Sequence, residues 1–117
     1  MTEVITAEKE KKLVLQTHYY KTNYENLKNV YLEYLDELGH NVVSVNDDYN
    51  EIYSEIPHME VIAKIIEQNP EETSIDFEIH AEFVVGSKGK AEKFIQQVYD
   101  RIESKYPFKG VSLHIEF

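Results

Sequence analysis

Histidine beside carboxylate is the chemically suggestive pairing in this 117-residue chain. His18, His80 and His114 each lie in a stretch of strand-like alternation, with Glu78, Glu82 and Glu116 close to the last two. Imidazole and carboxylate together form a ligand set for zinc or another divalent cation, and equally an acid–base pair. The expected site is His18, His80 and His114 with Glu78, Glu82 or Glu116. The sequence holds no His-x-His, His-x-x-x-His or His-Glu-x-x-His spacing, so strand pairing alone must bring the three together. The competing reading is a solvated polar face with scattered histidines.

A second candidate is Gly86, Ser87, Lys88, Gly89 and Lys90, placed between a strand and a helix where backbone N–H groups can hold an anion. Its Gly-x-x-Gly-Lys spacing is two residues short of a P-loop, and Ala91 stands where a hydroxyl would be needed. The plainer reading is a strand-to-helix loop capped by Ser87. No serine lies in Gly-x-Ser-x-Gly, and the absence of Cys removes thiol nucleophiles, thiolate zinc sites and iron–sulfur clusters. Beyond a divalent metal at the histidines, no cofactor is expected.

Positioning these groups falls to a small set of elements. Leu13–Tyr20 reads as a strand, with Leu13, Leu15, Thr17 and Tyr19 inward and Val14, Gln16, His18 and Tyr20 outward. Thr22-Asn23-Tyr24-Glu25 has the capping-box form, and the spacing behind it predicts a helix over 23–38, closed by Gly39. Asn41–Asn46 and Glu51–Ile56 read as an antiparallel pair across the Asp47–Asn50 turn. Residues 57–69 fit either a helical stripe or an alternating strand. The Asn69-Pro70-Glu71-Glu72 turn tips the reading to strand. In Ile75–Val85 the apolar residues alternate strictly, with Asp76, Glu78, His80 and Glu82 on the other face. A second helix follows over 90–106, with Ala91, Phe94, Ile95, Val98, Tyr99 and Ile102 as its stripe, and Val111–Phe117 reads as the last strand.

This order resembles the ferredoxin-like or split βαβ plan: an α+β fold with two helices on one face of a mostly antiparallel sheet of four to five strands. The resemblance is one of architecture only. It implies that the last strand lies beside the first, with the Ile75–Val85 strand on the other side. A chain of this length forms one domain, 1–117, of which residues 1–11 read as a mobile N-terminal tail.

Charge is the strongest anomaly. The chain carries 22 acidic against 12 basic residues, a formal net charge of −10. Residues 47–82 hold eleven acids against Lys64 alone, so that one segment accounts for the whole of it. Such a surface repels phosphate backbones and anionic lipid, which disfavours direct nucleic-acid and membrane binding. It speeds encounter with a basic protein and orients it. The expected docking residues are Asp47, Asp48, Tyr49, Glu51, Tyr53, Glu55, Glu71 and Glu72. The alternative origin of this charge is protection of sheet edges against mutual pairing.

The leading expectation is therefore a small acidic binding protein without catalytic activity, of the inhibitor, immunity, antitoxin or regulatory kind, with a basic protein as partner. A second is a regulatory domain that forms a homodimer through its sheet and binds a small ligand or metal on the open face. Zero Cys, no signal-like start and no run of 18 apolar residues point to the cytoplasm.

Overall fold

The computed structural model describes residues 2–6, 17–56, 58–82 and 87–110. Seven strands and two helices follow in the order β1 (Thr2–Ile5), β2 (His18–Tyr20), α1 (Tyr24–Leu38), β3 (Asn41–Asn46), β4 (Glu51–Ile56), β5 (Met59–Asn69), β6 (Glu72–Ala81), α2 (Ser87–Glu103) and β7 (Phe108–Gly110).

Amphipathic periodicity builds the helices. On α1 the buried residues are Leu27, Val30, Tyr31 and Leu35, and on α2 Ala91, Phe94, Ile95, Val98, Tyr99 and Ile102, the latter set being the predicted stripe. Both pack onto one sheet face, against Tyr20, Ile52, Val61, Ala63, Ile65, Ile75, Phe77 and Ile79. Gly39 ends α1 at φ 75°, where a left-handed residue lets its N–H reach Asp36 O while His40 N–H reaches Leu35 O. Those two bonds make a Schellman cap. At the other end the cap is Asn23, whose side chain accepts from Asn26 N–H at 2.9 Å, and not the expected Thr22. Glu67 of β5 adds a second cap by accepting the Tyr24 N–H at 2.9 Å.

The sheet runs β3-β4-β5-β6-β2-β7, with every pair antiparallel. β3 to β6 form a continuous meander, so residues 59–69 are strand, as the turn after them implies. β2 lies between β7 and β6.

Four expectations are corrected. The sheet has seven strands, not four to five: residues 59–69 join it as a strand, and residues 2–5, read as part of a tail, pair with β6 in the register Thr2↔Ala81 to Ile5↔Glu78. β1 and β2 therefore lie end to end along the same edge of β6, as two halves of one interrupted strand. Second, α2 begins at Ser87 and ends at Glu103, so Gly89 sits in its first turn; glycine is cheap where the first N–H groups have no intrahelical partner anyway. Third, β6 runs 72–81 where the alternation suggested 75–85. Fourth, β2 has the opposite parity to that expected: His18 pairs with Ile75 and Tyr20 with Thr73, which puts His18 and Tyr20 beneath the helices. The expected strand 111–117 and residues 13–16 of the first strand lie outside the described residues.

Candidate functional site

Opposite the helices lies a sheet face whose side chains form rows across the strands. One row reads Glu55, Glu60, His80, Glu3; the next Tyr53, Ile62, Glu78, Ile5; the third Glu51, Lys64, Asp76. Strand periodicity dictates this, because residues two apart share a face and register sets their neighbours. Six carboxylates and one lysine thus share the face, with Ile5, Tyr53 and Ile62 among them. Ile5, Ile62, Glu51, Lys64, Asp76 and Glu78 line a depression of about 280 Å³.

His80 stands in the first row. Its Nε2 lies 2.8 Å from Glu78 Oε2 and its Nδ1 3.3 Å from Glu3 Oε2. The hydrogen bond to Glu78, with the nearby charges of Glu78, Glu3 and Glu60, holds its pKa above the ordinary 6.5. A raised pKa gives stability that is present in full below the unfolded value and is lost as pH rises through the folded one. The imidazole of His80 should therefore titrate above 6.5 by NMR, and Glu78→Gln should lower the midpoint. An unchanged midpoint in that variant would remove Glu78 as the cause.

The three-histidine site is not assembled. His18 is on the helix side, 4% exposed, with its ring stacked on Tyr99 at 3.5 Å between centroids and 6° between planes, and Phe108 5.0 Å away. There it acts as an aromatic packing group. His114 lies outside the described residues. Among the described residues no group of three or more His, Asp or Glu converges as a metal site.

Of the expected docking residues, Glu51, Tyr53 and Glu55 lie on this face, on alternate positions of β4. Asp48 and Tyr49 project from the β3–β4 turn, Tyr49 at 68% exposure. Asp47 is turned to the helix side instead, where its Oδ1 accepts from Tyr24 Oη at 2.8 Å and Lys28 Nζ at 3.3 Å. Those two bonds hold its pKa below the usual carboxylate range. Glu71 is at the tip of the β5–β6 hairpin, and Glu72 is buried beside Asn69, which donates to it at 3.2 Å. The acidic stretch is thus divided between two sides of the sheet and its ends. Glu3, from outside that stretch, joins the open face and was invisible without the β1–β6 pairing.

Of the expected anion site, Ser87, Lys88, Gly89 and Lys90 form the first turn of α2, with Lys88, Gly89 and Lys90 exposed; Gly86 lies outside the described residues. Lys90 also borders a groove of about 390 Å³ on the helix side, floored by Leu38, Ile56, Met59, Ala81 and Phe94. This groove is larger than the depression on the open face, where a small ligand was expected.

No family model, characterised protein or solved structure matches this chain. Among the described residues no helix is long and apolar enough to cross a membrane.

Proposed function

We infer that this chain is a small acidic binding protein, of the inhibitor, immunity, antitoxin or regulatory kind, that acts in the cytoplasm by docking a basic protein on its open sheet face. One observation carries the reading: among the described residues, Glu3, Glu51, Glu55, Glu60, Asp76 and Glu78 share that face in rows that hold one lysine, Lys64, with apolar side chains between them. An Arg or Lys of the partner would lay its aliphatic stem on Ile5 and Ile62 and its charged head among Glu51, Asp76 and Glu78. Tyr53, Asp48 and Tyr49 extend the contact toward the β3–β4 turn. In this reading the order β7-β2-β6-β5, with α1 and α2 as its crossovers, is a ferredoxin-like core to which the β3–β4 hairpin is added.

The test compares two variants that change net charge equally. Glu55→Lys/Glu78→Lys alters the face, and Glu33→Lys/Asp36→Lys alters exposed positions of α1. Binding of a fluorescent deca-arginine peptide should weaken about tenfold in the face variant and much less in the helix variant. Wild-type affinity should fall as salt is raised. Equal losses in both variants, or affinity indifferent to salt, would sink the docking face.

A further inference from the structure

We propose that β3 is a dimerisation strand, through which a second copy of this chain extends the sheet in antiparallel fashion about a twofold axis. The proposal is independent of docking on the open face, since it uses the edge of the sheet.

β3 is the outermost strand of the meander, and all six of its residues are exposed. Exposed edges are ordinarily protected by charge, proline or brevity. This one has none of the first two: Asn41-Val42-Val43-Ser44-Val45-Asn46 is uncharged in a chain that is 29% charged. Val42, Val43 and Val45 are 37%, 51% and 41% exposed, half of the large apolar side chains standing open among the described residues. The acids begin only after the strand, at Asp47 and Asp48. Along this edge two copies of a strongly anionic protein can approach without bringing strand carboxylates together.

The strand is also complementary to itself. Antiparallel pairing with a copy in the register Val42↔Val45 sets Asn41 against Asn46 and Val43 against Ser44. Pairs that meet across a ladder must share a face. In a regular strand Val42 and Val45, three apart, point to opposite faces and this register fails. Here the ladder to β4 slips between Val42 and Ser44, so that Val42 lies opposite Ser54 and Val45 opposite Ile52, both on the helix side. The same slip leaves Asn41 opposite Glu55 and Asn46 opposite Glu51, both on the open side. The bulge thus gives the pairs Val42–Val45 and Asn41–Asn46 the facing pattern that a twofold axis between Val43 and Ser44 requires.

The chain has no Cys, so cross-linking reads the register cleanly. Oxidising a mixture of Val42→Cys and Val45→Cys proteins should give far more covalent dimer than either alone. Sedimentation of the wild type over about 10 to 500 µM should show a monomer–dimer equilibrium. Salt raised from about 50 to about 300 mM should tighten it several-fold by screening the two anionic copies, the reverse of its effect on a basic partner. Val43→Lys, at an exposed position, should sediment as monomer and keep the melting temperature that the wild type shows when diluted to monomer. A wild type monomeric throughout, a mixture that cross-links no better than its components, or a dimeric Val43→Lys would each overturn the proposal.

Discussion

Phe77→Ala should cost about 3–5 kcal/mol of folding stability, the range for removing a buried phenyl ring from a core that closes only partly around the gap. Phe77 is 2% exposed on β6, and both helices meet on it. Tyr31 of α1 lies 5.9 Å away between ring centroids, and Phe94 and Tyr99 of α2 lie at 6.2 and 5.9 Å, all at steep interplanar angles. Edge-to-face contacts of this kind add to the burial energy. Relaxation is restricted because β6 is paired on both sides and its neighbour across the ladder is Ala63, too small to fill the space. A single domain has roughly 5–15 kcal/mol of stability, so the loss is a large fraction of the whole. Urea unfolding should show the midpoint fall at nearly constant slope, and Phe77→Leu should recover most of it. A loss under about 1 kcal/mol would mean that the helices do not depend on this ring.

The second large effect is expected at the break between β1 and β2. Asp76 Oδ1 accepts hydrogen bonds from Thr6 Oγ1 and Thr17 Oγ1, each at 2.7 Å, and so ties the two half-strands to β6. Thr6 Oγ1 in turn accepts the Phe77 N–H at 2.8 Å. Both threonines are buried, at 4% and 3% exposure. Asp76→Ala leaves their hydroxyl protons without this acceptor, and two buried donors deprived of a charged partner cost about 2–3 kcal/mol. Asp76→Asn keeps the acceptor oxygen and should cost less than half as much. Chemical denaturation of both variants, with Thr6→Val/Thr17→Val as the third corner of a cycle, isolates the coupling. Equal losses for Asn and Ala would show that the carboxylate works through charge and not as the shared acceptor.

Much of the architecture was legible because the periodicity was strong. The α2 stripe from Ala91 to Ile102 and the alternation of Ile75, Phe77, Ile79 and Ala81 each had polar residues on the other side to define the pattern. β2 offered no such contrast. Thr17, His18, Tyr19 and Tyr20 are all buried, so neither face of the strand announces itself, and His18 between tyrosines behaves as a ring to be stacked. Its flanking aromatics were the available signal. β1 was hidden by brevity: four residues in a polar leader show their partner only once β6 is placed beside them. The acidic stretch misled in another way, because contiguity along a strand is not contiguity in space. Alternation and turns send Glu67 to the end of α1 and Asp47 to its side, leaving Glu51, Glu55, Glu60, Asp76 and Glu78 together.

The interrupted strand bears on the time course of folding. The β3 to β6 ladders join residues close in sequence and can zip from their turns, whereas the Thr6–Asp76 bond spans 70 residues. Closing so long a loop before any contact rewards it is slow. On a ribosome, β1 and β2 must wait for the meander that follows them to emerge before they have an edge to join, so these two early segments are among the last to find their place.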